Sequence, residues 1–188
     1  MNDLLLRVHH FEPSSRANGP GLRAVIWVQG CSLGCPGCFN PQTHTSIAGE
    51  NWPINFLMDK ILARQDDLEG FTISGGEPLQ QRPALQALLK RIKQETALSV
   101  LLFSGYSWIE IQKMRNIEGL LGYVDVLLAG RYDASQRKAS SLIGSANKTV
   151  HFLTSRYTIN DLQEVPIAEV ILSELGEICF TGINPVQW

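Results

Sequence analysis

Val28-Gln29-Gly30-Cys31-Ser32-Leu33-Gly34-Cys35-Pro36-Gly37-Cys38-Phe39-Asn40 and, further on, Ile73-Ser74-Gly75-Gly76-Glu77-Pro78 are the two stretches that decide the fold. Residues 22–29 (LRAVIWVQ) are β-branched and apolar and read as a buried strand that runs straight into the cysteines. Residues 71–74 read as a second short strand, ending in the Gly75-Gly76 pair. Two strands thus each empty into a glycine-rich loop carrying reactive groups.

Outward from these, the chain alternates. Residues 54–65 have helical spacing, with Phe56, Leu57, Ile61 and Leu62 on one side and Asn51 as the expected cap. Residues 83–95 form a helix on Leu85, Leu88, Leu89 and Ile92, with Pro83 in its first turn. Residues 99–103 (SVLLF) are the next strand, and residues 107–115 the next helix, capped by Ser107. Residues 123–129 are again strand-like, 130–147 a loop, and 149–153 a fifth strand. This alternation implies a parallel sheet with helices packed outside it. Residues 168–172 and 177–182 differ, reading as an antiparallel hairpin added at the end.

About five βα units fall short of an eight-fold barrel, which takes about 250 residues. The expectation is an α/β fold, a partial, open (β/α) barrel with a C-terminal β-hairpin extension. One domain spans residues 1–188, its core about 18–153 and its extension 154–188. The cysteine loop, the Gly-Gly-Glu loop and the Ser104-Gly105 turn all fall at C-terminal ends of strands, the working face of such architectures.

Composition narrows the function. With 16 basic and 18 acidic residues in 188, no broad affinity for nucleic acid or acidic lipid is implied. The densest basic cluster, Arg82, Lys90, Arg91 and Lys93, has the spacing of a solvated helix face. The first residues lack the apolar run and small-residue site of a signal peptide, and no segment has the roughly 18 apolar residues of a membrane span. A cytoplasmic location is expected. Three of the four cysteines crowd into eight residues, which suits a metal site in a reducing compartment better than a disulfide framework.

Cys31, Cys35 and Cys38 stand in CxxxCxxC spacing, so their thiolates can converge on one face of a tight loop. Spacing alone serves two metals equally. His44, six residues after Cys38, would complete a Cys3His zinc site, whereas three cysteines on a four-iron cube leave one iron open for catalysis. The preceding strand and the second glycine-rich loop favour iron–sulfur. Cys179, in the terminal hairpin, reads as a small buried hydrophobe and not a fourth ligand.

CxxxCxxC followed by SGGEP resembles the radical S-adenosylmethionine (SAM) superfamily. Asn18–Arg23 (NGPGLR) with VIWVQGC resembles its glycyl-radical-enzyme activases. CPGCFN, the FSGYS turn, VDVLLAGRYD and LIGSANKTVH are similar to the activating enzymes of anaerobic ribonucleotide reductases, from about residue 18 to 151. The resemblance implies a [4Fe–4S] cluster whose open iron binds SAM, and reductive cleavage to methionine and a 5′-deoxyadenosyl radical. That radical takes a hydrogen from a glycine of the partner, an anaerobic ribonucleotide reductase, with a flavodoxin or ferredoxin-type electron donor. By the same resemblance Gly75, Gly76 and Glu77 face the methionine ammonium, and Ser104 contacts SAM. Asp125, Arg131 and Asn147 occupy family positions. Arg23 is expected to hold the cluster loop or the partner, and Asn40 to cap the turn after Cys38. Gly37 stands where many members carry an aromatic residue, and Phe39 follows instead. Two alternatives stay open at this stage: a radical SAM enzyme acting on a peptide or nucleoside-like small molecule, and a non-catalytic zinc or iron–sulfur module.

Overall fold

The computed structural model describes residues 3–140, 142–172, 176 and 178–183. Strand β1 (Leu5–Ser15) leads into β2 (Arg23–Val28), and a short β3 (Glu50–Pro53) runs directly into helix α1 (Ile54–Leu62). There follow β4 (Gly70–Gly75), α2 (Arg82–Glu95), β5 (Ser99–Ser104), α3 (Trp108–Gln112), α4 (Glu118–Leu121) and β6 (Val126–Ala129). A ribbon, β7 (Arg137–Ser140) and β8 (Ile143–Ser145), precedes β9 (Thr149–Phe152), α5 (Ile159–Gln163), β10 (Ala168–Leu172) and β11 (Ile178–Gly182).

Seven strands make one mixed sheet in the order β3-β1-β2-β4-β5-β6-β9. Its centre, β2 to β6, is parallel, with Val28 level with Gly75 and Ser104 level with Ala129. Strand C-terminal ends therefore lie along one edge. Period-2 alternation separates the faces. Ile26, Val28, Phe71, Ile73, Val100 and Leu102 pack on the apolar stripes of α1 and α2. Leu101, Val126 and Leu128 pack on Tyr157, Leu162 and Val165 from the C-terminal segment. In α2, Leu85, Leu88, Leu89 and Ile92 are fully buried, each contributing about 1.5–3 kcal/mol, so packing holds a helix too short to stand alone. Of its basic residues, Arg91 pairs locally with Glu95 at 2.6 Å, whereas Lys93 departs from the expected solvated face and pairs with Asp125 before β6. Among the described residues no helix is long and apolar enough to cross a membrane.

Several expectations are corrected. Asn51 does not cap α1; it lies in β3, and Pro53 precedes the helix without a side-chain cap. Loop 130–147 contains the β7–β8 ribbon. The fifth strand, β9, is present but runs antiparallel to β6. Ser107 does cap α3, in a reciprocal capping box with Glu110. The terminal hairpin is present as β10–β11; residue 177 of that expectation lies outside the described residues.

Arg23 and Asp125 belong to the opposite end of the sheet from the cysteines. Arg23 is fully buried, and its guanidinium donates to Thr72 Oγ1 (2.7 Å), Ser99 Oγ (2.9 Å), Phe71 O (3.0 Å) and Pro20 O (3.1 Å). It ties the starts of β2, β4 and β5 together; holding the cluster loop or a partner is not its place. Asp125, just before β6, accepts from Lys93 Nζ (2.5 Å), Val100 N (2.7 Å) and Thr154 Oγ1 (2.8 Å). It too is a brace and not a ligand-site residue. Burial alone would raise its carboxyl, but the Lys93 ammonium, the Val100 N–H and the Thr154 hydroxyl together hold it below the ordinary value. A depressed carboxyl stabilises the fold above its unfolded value, about 3.9, and that contribution is lost as pH falls through the folded value. Asp125→Ala is expected to cost about 3 kcal/mol in denaturant titrations near neutral pH, and to lose less stability on acidification than the parent.

Candidate functional site

The cysteine loop leaves β2 at Val28 and is stitched to its own return leg. Gly30 N donates to Thr43 O (2.8 Å), Cys31 N to His44 O (3.0 Å) and Cys38 N to Cys35 O (3.2 Å). Gln29 reinforces the stitch, donating through Nε2 to Gln42 O (3.1 Å) and Thr45 O (2.8 Å). Asn40 does cap the following turn, through its carbonyl, which accepts from Thr43 N (3.0 Å) and Thr43 Oγ1 (2.7 Å); its side chain makes no capping bond. His44 therefore serves the loop through its carbonyl.

The Gly-Gly-Glu loop is pressed against that one. Gly75 has φ +100°, and a Cβ there would lie 2.5 Å from Val28 N; one on Gly76 would lie 2.4 Å from Gly30 O. Bare backbone allows Gly76 N to reach Val28 O (2.8 Å) and Glu77 N to reach Gly30 O (2.9 Å). The Glu77 carboxylate is fully buried. It accepts from Leu79 N (2.9 Å), Ser104 Oγ (2.9 Å) and Gly105 N (2.7 Å), joining the loops after β4 and β5. Burial pushes its carboxyl up, against these three donors and the field of Lys148.

These loops enclose a cavity of about 340 Å³ on the sheet face away from α1 and α2. Cys31, Cys35 and Cys38 line it, all half-buried and free, with Phe39, Asn40, Gly75, Gly76, Glu77 and Ser104. Phe39 sits beneath the β7–β8 ribbon, 4.5 Å from the Tyr132 ring and against Gly144. Gly37, Asp125, Arg131 and Asn147 do not line the cavity. Gly37 lies in the loop near Ala134. Arg131 forms an exposed two-pronged pair with Glu110 (2.7 and 2.9 Å), and Asn147 Nδ2 donates to Arg131 O (3.0 Å). The Arg131 guanidinium, then Ser107, brings the Glu110 carboxyl down to about 2.

Sequence reasoning missed Lys148, Trp27 and His10, which also line the cavity. Lys148 follows Asn147 in a loop with no periodicity to signal it; burial lowers its ammonium, while Cys35, Glu77 and Cys38 draw it back up. Burial raises the Cys31 thiol, as do the nearby Glu77, Cys35 and Cys38. Three free thiols facing one cavity, with a cation beside them, are a donor set that fits an iron–sulfur cluster held by three cysteines.

The family model of the 4Fe-4S single cluster domain matches residues 17–151. The anaerobic ribonucleoside-triphosphate reductase-activating protein of Vibrio cholerae is 31% identical over 157 residues, covering 79% of this chain and 99% of that protein. Its counterpart in Escherichia coli K12 is 32% identical over 160 residues, again 79% of this chain and 99% of that protein. Among solved structures, QueE from Escherichia coli aligns with a TM-score of 0.47 at 15% identity, over 55% of this chain and 53% of that one.

The packing of Gly76 on Gly30 gives a direct test. Gly76→Ala forces the cysteine loop away from β4, so iron and sulfide bound per chain after anaerobic reconstitution are expected to fall well below the parent's. Circular dichroism on the same sample checks that the sheet persists.

Proposed function

The chain belongs to the family of anaerobic ribonucleoside-triphosphate reductase-activating proteins, and we propose that it is a radical SAM enzyme that installs a glycyl radical on such a reductase. When bound at the cysteine loop, the [4Fe–4S] cluster supplies the electron that splits SAM into methionine and a 5′-deoxyadenosyl radical, the species that takes a hydrogen from the reductase glycine. The observation that carries this reading is the meeting of three free cysteines with the Gly75–Gly76 backbone and Lys148 around one cavity.

Cys31, Cys35 and Cys38 would hold the cluster, and three protein ligands on a four-iron cluster would leave a position for SAM. Gly75 and Gly76 present bare main chain to the methionine moiety of SAM, and Glu77 fixes that main chain from behind. Lys148 meets the methionine carboxylate, a charge-assisted contact strengthened by its half-dry setting. Phe39 and Trp27 provide apolar surface for the nucleoside. Gly37 shapes the loop; Arg131 and Asn147 hold the outer rim through their bonds to Glu110 and to each other. Four parallel strands with helices on one face and the cavity on the other support the reading of an open, partial barrel whose mouth admits the reductase. The electron comes from a flavodoxin or a ferredoxin-type protein.

The test is anaerobic incubation of the reconstituted, reduced protein with SAM and an anaerobic ribonucleoside-triphosphate reductase. 5′-Deoxyadenosine together with a glycyl doublet in the electron paramagnetic resonance spectrum is the expected result. Cleavage with no doublet would move the substrate elsewhere, and no cleavage by fully clustered protein would overturn the reading. Cys31→Ala, Cys35→Ala and Cys38→Ala should each abolish cleavage. Lys148→Met should raise the SAM concentration for half-maximal cleavage at least about tenfold while leaving cluster iron intact.

A further inference from the structure

A second group of metal-ligating side chains lies outside the cysteine loop. His10 and Glu12 of β1 and Cys179 of β11 bring a ring nitrogen, a carboxylate oxygen and a sulfur within 4.8 Å of one another. Among the described residues this is the group of three such side chains gathered that tightly.

Local structure explains the convergence. A bulge between Val8 and His10 resets the register of β1, so that His10 pairs with Trp27 and Glu12 with Val25. At i and i+2, His10 and Glu12 then share a face, and the His10 ring lies 5.5 Å from that of Trp27. On β11, Cys179 and Thr181 likewise share a face; Thr181 Oγ1 accepts from Asn18 Nδ2 at 2.9 Å, which turns that face toward the start of the sheet. Glu12 is 7% exposed, and among the described residues no salt bridge reaches it. Among the described residues its carboxyl accepts from Ser14 N (3.2 Å), a weak offset for a buried polar group. The half-buried Cys179 thiol stands near it, and a second carboxylate, Glu169, stands near that thiol. This corner of the fold gathers two carboxylates, a thiol and an imidazole.

We propose that His10, Glu12 and Cys179 bind one zinc-class divalent cation, which clasps the C-terminal hairpin to β1 at the rim of the cluster cavity. One nitrogen, one oxygen and one sulfur suit a borderline metal such as zinc, at the spacing a single ion needs. With three protein ligands the fourth position takes water. The cation neutralises Glu12 and takes Cys179 as thiolate. The clasp has a mechanical reason: β10–β11 is a separate two-stranded sheet with no ladder to the main one. Its described ties include Glu169 accepting from Ser15 Oγ (2.7 Å), Arg16 N (2.9 Å) and Ala17 N (3.3 Å), and the Asn18–Thr181 bond. Yet Cys179, Phe180 and Thr181 form part of the cavity wall. The hairpin lies beyond residues 17–151, so the clasp is a property of this chain's extension and not of the matched domain.

The test uses the full chain with its cluster reconstituted, dialysed anaerobically against zinc chloride and then analysed for metals. One zinc per chain beyond the cluster iron is expected, with Cys179→Ala, His10→Ala and Glu12→Gln each weakening its binding at least about 100-fold. Hydrogen exchange should show residues 168–172 and 178–182 protected by zinc in the parent and not in Cys179→Ala. Cobalt(II) added to Cys31→Ala/Cys35→Ala/Cys38→Ala should still give a thiolate-to-cobalt absorption band. No retained zinc in the parent, or equal zinc in parent and Cys179→Ala, overturns the site whatever the folding of the triple variant. Neither result bears on SAM cleavage, which is read separately.

Discussion

One buried carboxylate organises the working edge of this sheet. Glu77 is out of contact with water, yet its neighbours across three strand ends are fixed through it: its N–H on Gly30 O, its oxygens on Leu79 N, Ser104 Oγ and Gly105 N. A charge in that position is costly unless hydrogen-bonded, and three donors plus the distant field of Lys148 keep it in place without a direct ion pair. The loops after β2, β4 and β5 are therefore not independently mobile. Moving one of them strips a bond from a group that has no water to replace it. Such coupling suits a site that must hold a cluster and its ligand in fixed relation, because precision in the loops comes from the rigid strands behind them.

The opposite edge carries a different load. Arg23 donates to side chains and carbonyls at the starts of β4 and β5, and Asp125 joins α2, β5 and the segment after β9. Both are buried polar groups with their partners complete, and the described residues contain no buried side-chain nitrogen or oxygen without one. Stability is thus concentrated where the strands begin, and chemistry where they end. That separation leaves the cysteine loop free to be glycine-rich and internally weak, since the sheet does not depend on it.

What was legible in the sequence follows the same division. The cysteine loop and the Gly-Gly-Glu loop declared themselves because their chemistry is local: spacing, glycines and the preceding apolar strand lie within a dozen residues of each other. Ser107 was readable as a cap for the same reason. Asp125, Arg131 and Asn147 were not, because a polar residue's role is set by partners far along the chain, such as Lys93 for Asp125, 32 residues away. β1 escaped because its bulge breaks the period-2 pattern at His9-His10. The direction of β9 escaped because alternation of apolar residues carries no information on whether a strand runs parallel or antiparallel to its neighbour. Lys148 lies in LIGSANKTVH, but no periodicity singles it out; its role is recognised by what surrounds it once the chain is folded.

A cavity that uses a reactive radical must be dry, yet it must also open to a glycine on another protein. Here the two demands fall on different parts of the chain. The parallel strands and their loops supply the fixed floor, while the walls come from segments that are not βα units: the β7–β8 ribbon over Phe39, and the β10–β11 hairpin bearing Cys179, Phe180 and Thr181. Neither wall is laddered to the main sheet. Attachment through side chains yields at lower free-energy cost than separating paired strands. A partner can then displace or reshape a wall without disturbing Glu77 or the cysteines, and its own surface completes the exclusion of water from the site.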